Sequence, residues 1–162
     1  MEKEARKKTI ILLGAVFFLA MIFNVIVITS PKTEKGEFIP PDFEKNAVLG
    51  QPRVPEELGY SSPYRDGMAY KFSICGKPET EGNLLTVFFT NLRENKAWLK
   101  LRVYSTAGEM LAESGLLKEG EYLEKITLTT SPPEGEKLIF KVMGYQPDSY
   151  VSIGAVTLNV SV

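Results

Sequence analysis

From Ile10 to Ile28 the chain reads IILLGAVFFLAMIFNVIVI, nineteen residues without a charge. At about 1.5 Å of rise per residue a helix of that length measures about 28 Å, close to the ~30 Å of bilayer hydrocarbon. Fourteen of the nineteen are Ile, Leu, Val or Phe. Each favours insertion by roughly 0.3–0.6 kcal/mol, so the run as a whole partitions into a bilayer by several kcal/mol. The Asn24 amide opposes this by about 1–3 kcal/mol, too little to reverse the sign. Residues 10–28 are expected to form a spanning helix.

Lys3, Arg6, Lys7 and Lys8 precede the run, against Glu2 and Glu4. Basic residues flanking a span stay in the cytoplasm, so residues 1–9 are expected to be a cytoplasmic stub and everything after Pro31 extracytoplasmic. A cleaved signal peptide is the alternative. Its apolar region is usually shorter and ends in small residues, whereas here the exit is Ile28-Thr29-Ser30-Pro31. No cysteine follows the run to carry a lipid, so the expectation is an uncleaved, single-pass cell-membrane anchor.

Residues 29–66 hold six of the ten prolines. Proline fixes φ and removes a backbone donor, so this stretch reads as an extended stalk, with a fully stretched reach of ~100 Å. Ala47-Val48-Leu49 and Val54 with Leu58 are short apolar groups able to dock onto a folded domain, making the second half a partly ordered segment.

From residue 67 to the C-terminus the pattern changes to period two, with turn residues between apolar runs. Tyr70, Phe72 and Ile74 share a parity, as do Leu85, Val87 and Phe89, then Leu99, Leu101 and Val103. Shorter signals follow at Met110–Ala112, Ile126 and Leu128, Phe140 and Val142, and finally Tyr150–Val160. Seven strands with no amphipathic helix predict an all-β fold, an antiparallel β-sandwich, and the resemblance given next implies that it is of immunoglobulin-like type. Leu117-Lys118-Glu119-Gly120-Glu121-Tyr122 resembles the tyrosine corner of immunoglobulin-like and fibronectin-type-III-like sandwiches. That resemblance implies a bond from the Tyr122 hydroxyl to upstream backbone. Two full strands follow the one that Tyr122 begins, which departs from the fibronectin pattern.

Composition narrows the chemistry. Beyond Ser30 lie 15 of the 19 basic and 18 of the 20 acidic side chains, a mildly acidic balance that argues against nucleic acid as a partner. Histidine is absent and Cys75 is the one cysteine. The commonest metal ligand and general base are therefore missing, no Ser-His or Cys-His pair exists, and no disulfide can close within the chain. Glu79, Glu81, Glu119 and Glu121 fall on polar parities or turns. Asp42, Asp66 and Asp148 lack calcium-loop spacing, and no phosphate-binding Gly-rich loop is present. The chain is expected to be no enzyme and to need no cofactor; a hydrolase using two glutamates is the weakest reading retained. Cys75 ends a strand and is expected to be buried as a small hydrophobe, without intermolecular disulfides.

Four side chains offer a binding signal. Trp98, Lys100, Arg102 and Tyr104 occupy the parity opposite Leu99, Leu101 and Val103, forming an amphipathic patch if that face is open. The alternative is that Trp98 belongs to the core. Tyr145, Pro147 and Tyr150 form a second, turn-borne candidate.

Cys75-Gly76-Lys77-Pro78, Val87-Phe88-Phe89-Thr90-Asn91, Trp98-Leu99-Lys100-Leu101-Arg102-Val103 and Gly120-Glu121-Tyr122 together resemble a group of small membrane-anchored proteins of Gram-positive bacteria. The resemblance runs from about Asn46 to the C-terminus. It implies a bacterial envelope location and no functional residue. A small extracytoplasmic domain without disulfides agrees with a bacterial source. The functional expectation is a non-catalytic module binding another cell-envelope or surface-assembly protein. The alternative is a module binding cell-wall carbohydrate through the aromatic face.

Overall fold

The computed structural model describes residues 38–63, 67–133 and 135–162, together with Glu4, Gly14 and Phe17. The expected cytoplasmic stub, the span at 10–28 and the first part of the stalk lie, those three positions apart, outside the described residues. Among the described residues no helix is long and apolar enough to cross a membrane. The chain divides into two compact units, Met1–Ile39 and Pro40–Val162, and the account below concerns the second.

Ten strands are described: β1 Val48–Leu49, β2 Tyr60–Ser61, β3 Phe72–Cys75, β4 Thr80–Glu81, β5 Leu84–Asn91, β6 Trp98–Ser105, β7 Met110–Glu113, β8 Glu121–Thr127, β9 Lys137–Tyr145 and β10 Ser152–Ser161. One sheet runs β1-β8-β5-β3-β2, with β4 also on β5; the other runs β10-β9-β6-β7. Every strand pairing is antiparallel. The two sheets enclose one core and make a β-sandwich. Its seven strands of four residues or more are the seven that the alternating pattern predicts, because alternation places every second side chain on the buried face.

The core takes Phe72 and Ile74 from β3, Leu85, Val87 and Phe89 from β5, and Leu123 and Ile126 from β8. From the other sheet come Leu99, Leu101 and Val103 of β6, Leu138, Phe140 and Val142 of β9, and Val156 and Val160 of β10. Tyr70 is buried with them and donates its hydroxyl to the Val142 carbonyl at 2.9 Å, with the Gly154 carbonyl at 3.2 Å. Burial pushes the Tyr70 hydroxyl up to about 12, with backbone hydrogen bonds opposing. Gly144 is required beneath it: a Cβ there would collide with the Tyr70 ring.

The described part of the segment before residue 67 packs against this sandwich. Val48 and Leu49 pair with Tyr122 and Glu121, Tyr60 and Ser61 with Cys75 and Ile74, and Ala47 packs against the core. Leu58 joins Cys75 and Phe88 in a second buried cluster, with Val54, Tyr60 and Tyr122 against it. This layer explains why β3 is buried on both parities and why Cys75, on its polar parity, is fully buried. Phe88 reaches the cluster from a left-handed backbone, φ 42°, inside a register shift between Thr86 and Phe89. The Tyr122 hydroxyl does not form the expected corner bond. Its ring faces the second cluster, and the hydroxyl has no hydrogen-bond partner among the described residues.

Asn91 closes the β5–β6 connection. Fully buried, it donates to the Ala97 carbonyl at 2.8 Å and the Leu117 carbonyl at 3.0 Å. It also accepts a bond of 2.6 Å from Asn95, whose amide pairs with the backbone of Lys71. The turn-rich sequence at residues 91–96 is thus a polar staple between the two sheets.

Candidate functional site

β6 lies between β7 and β9, so both parities of its residues are fixed by ladders on two sides. Leu99, Leu101 and Val103 are fully buried in the core. Trp98, Lys100, Arg102 and Tyr104 consequently share the outer face of the four-stranded sheet. Their cross-strand partners on β9 are Tyr145, Met143, Lys141 and Ile139, in that order. On the β7 side, Arg102 faces Glu113 and Tyr104 faces Met110. The four residues singled out by the sequence do come together on one face, but they do not act as one open patch.

At one end the Phe43 ring meets Trp98 edge-on, centroids 4.8 Å apart at 77°. Tyr150 lies on Trp98 at 5.3 Å and 60°. The Lys118 ammonium stands 4.6 Å from the centre of the Phe43 ring. Trp98 is therefore neither a core residue nor an open platform; it is half-buried between two aromatic neighbours. Phe43 arrives from the Pro-rich segment, held by a parallel bridge to Leu116 and by Glu44, whose carboxylate accepts from the Gly115 N–H at 2.8 Å. A Cβ at Gly115 would strike the Glu44 backbone, so glycine is what admits this strap. Tyr150 arrives from the β9–β10 turn. There the Tyr150 N–H donates to the Gln146 carbonyl at 3.0 Å, and the Gln146 N–H to the Val151 carbonyl at 2.8 Å. The two aromatic candidates of the sequence, at Trp98 and at Tyr150, are one cluster.

The middle of the face is ionic. The Lys100 side chain is buried, and its ammonium lies 2.5 Å from Glu113 Oε1. Arg102 Nε donates to the other oxygen of the same carboxylate. Burial pushes the Glu113 carboxyl up, but the bonds and charges of Lys100 and Arg102 outweigh it and hold the group below the usual carboxylate range. Arg102 is held above its ordinary value: burial lowers it, and Glu113 more than restores it. One carboxylate thus locks two cations into the sheet, and Lys141, opposite Arg102, leaves the face net positive. At the far end Tyr104, Ile139 and Met110 supply a mixed apolar margin, with Met110 well exposed.

The remaining chemical candidates are scattered. Glu81 pairs with Lys125 at 3.2 Å on the surface, and Glu121 accepts from the Lys118 N–H at 2.7 Å. Asp148 sits exposed in the β9–β10 turn at φ 62°. Among the described residues no three His, Cys, Asp or Glu side chains gather closely enough to hold a metal ion. Sequence reasoning missed Phe43, Glu113 and Lys118 as members of the face. All three lie on other elements, and neither parity nor spacing relates them to β6. The face presents aromatic edges at one end, a preset charge array in the middle and a thin apolar margin at the other.

No family model, no curated protein and no solved structure matches the chain.

Proposed function

We propose that the protein is a non-catalytic, membrane-tethered module that binds another cell-envelope or surface-assembly protein through the outer face of β7, β6 and β9. In this reading residues 10–28 span the membrane with the N-terminus in the cytoplasm, and the sandwich stands outside the cell. The likeness to small membrane-anchored proteins of Gram-positive bacteria is part of the same reading.

The observation that carries it is the pairing of Lys100 and Arg102 on Glu113 beside the Phe43–Trp98–Tyr150 cluster. Aromatic and Arg side chains are the usual anchors of protein interfaces, and ordering them in advance lowers the entropy lost on binding. The same geometry weighs against the carbohydrate alternative, because a sugar needs an open ring face and Trp98 has aromatic neighbours on two sides.

We further propose that the sandwich is immunoglobulin-like. The order β3-β5-β8 matches strands A-B-E, and β10-β9-β6 matches G-F-C, with β7 on the C-strand side. In that alignment Tyr122 begins strand E rather than strand F, where tyrosine corners lie. This accounts for its hydroxyl lacking the corner bond.

The test is photo-crosslinking from the full chain in its native membrane, with the probe at Tyr104 or Lys141 and a control probe at Glu124 on the other sheet. A discrete protein adduct from the first two sites, lost on Arg102→Glu, is expected. Identical adduct patterns from all three sites would refute the face. Co-sedimentation with cell-wall glycan that depends on Trp98 would replace the protein partner by a sugar. Protease added to intact cells should remove the sandwich; its survival there would refute the tether.

A further inference from the structure

The four edges of the two sheets are built differently. β1 and β2, which close one sheet, are two residues each, and β7 closes one side of the other with four residues, preceded by Glu109 and ending on Glu113. Short strands and edge charges are the ordinary means by which sheets avoid pairing with foreign strands. β10, the remaining edge, is ten residues long. From Ser149 to Val162 the chain contains no charge and no proline. No described strand pairs with its outer side.

The register defines what that edge presents. The Val162 N–H donates to the Glu136 carbonyl at 3.0 Å, so Val162 points its backbone toward β9. Along an antiparallel ladder this orientation alternates. Even-numbered residues therefore bond to β9, and Ala155, Thr157, Asn159 and Ser161 turn their N–H and C=O groups outward. Their side chains are small, uncharged and on the outer face. A register shift at Ser152–Gly154, with Gly154 at φ 117°, breaks the edge before this point and leaves 155–161 as a regular stretch. On the core side Val156 and Val160 are buried, whereas Leu158 is only partly so.

We propose that this edge pairs with β10 of a second copy, antiparallel about a two-fold axis at Leu158. The inference is independent of what the Trp98 face binds. In that register Thr157 faces Asn159 of the second copy and Ala155 faces Ser161, giving roughly eight backbone hydrogen bonds. Both strands keep their core side on one face, so Leu158 meets Leu158 and Val156 meets Val160, extending the apolar layer across the junction. An uncharged strand opposes no like charges to itself, which is the cost that normally forbids self-pairing. The interface is isologous and closes as a dimer, leaving no further edge of comparable length among the described strands.

The experiment uses two differently tagged full-length chains co-expressed in membranes, one carrying Thr157→Cys and the other Asn159→Cys. Opposed residues in a bonded antiparallel pair have Cα atoms about 5.5 Å apart, within disulfide reach. Mild oxidation should give a covalent dimer carrying both tags. A Met110→Cys pair on the β7 edge should give none. Adding Ala155→Lys and Ser161→Lys to both chains, at exposed positions that set ammonium groups against each other, should abolish the dimer while the circular dichroism of the purified chain stays unchanged. Absence of the 157–159 dimer, its persistence in the lysine variants, or crosslinking of the edge to a different protein would overturn the proposal.

Discussion

Tyr150 reaches Trp98, ring centroids 5.3 Å apart, from a left-handed backbone with φ 55°. A bulky residue holds that conformation at a cost of about 1–3 kcal/mol, sustained only where surrounding contacts over-determine it. The aromatic cluster is thus preset, with its strain borne by the β9–β10 turn.

Trp98 is the only tryptophan in the chain, so its emission reports on the cluster directly. Tyr150→Asn removes the ring while supplying a residue that tolerates positive φ. The expected result is a red-shifted emission with stability within about 1 kcal/mol of the parent, since relief of strain offsets lost contact. Phe43→Ala should also red-shift the emission. Unchanged spectra in both variants would mean that neither ring shields Trp98.

Glu113 makes stability depend on pH in a defined direction. Its folded-state value lies below the ordinary 4.5, so its contribution is complete above the unfolded value and disappears as pH falls through the folded one. Glu113→Gln should cost about 1–3 kcal/mol in urea unfolding at pH 7, because Lys100 is left buried and unpaired. The deficit should shrink steadily below about pH 4.5, and Lys100→Met in the same chain should recover most of it. A deficit that does not vary with pH would contradict the ion pair.

Asn91, fully buried, donates to the carbonyls of Ala97 and Leu117. Asn91→Leu should cost about 1–3 kcal/mol by taking the donor from the Ala97 carbonyl, while the Leu117 carbonyl keeps the Leu99 N–H. Asn91→Asp should cost more at pH 7, where a carboxylate would face two carbonyl oxygens, and less at acid pH. Thermal melts of the two variants at pH 7 and pH 4 check the crossover; parallel behaviour would argue against a polar staple.

Burial, with a smaller contribution from the Glu79 charge, pushes the Cys75 thiol up to about 11. Against an unperturbed value of 9.0, that lowers the thiolate fraction about 100-fold at neutral pH. The native chain should react with a disulfide reagent at least that much more slowly than the urea-unfolded chain and form no Cys75–Cys75 dimer on oxidation. Rapid native labelling would place the thiol outside the second cluster.

Alternation at residues 72–74, 85–89, 99–103 and 138–142 is enough to place the strands and their buried sides, because a sheet with one covered face sorts side chains by parity alone. The same rule placed Trp98, Lys100, Arg102 and Tyr104 together. It misjudges positions where a second layer covers the outer face. Ser73 falls on the parity that reads as solvent-facing, yet the strap carrying Leu58 and Tyr60 buries it, together with Cys75, whose burial its side-chain type and not its parity predicts. It also misjudges Lys100, whose burial depends on a carboxylate thirteen positions later.

By itself, then, the amino-acid order determined an all-β sandwich with seven main strands, and it placed the residues of the β6 outer face on one side, since those properties follow from local periodicity. Only the tertiary structure decided that Phe43 and Tyr150 flank Trp98, that Glu113 holds both cations, and that β10 is left as the one long uncharged edge among the described strands. Those facts depend on which strands become neighbours, and neighbour choice is settled by closing one core from segments far apart in the chain.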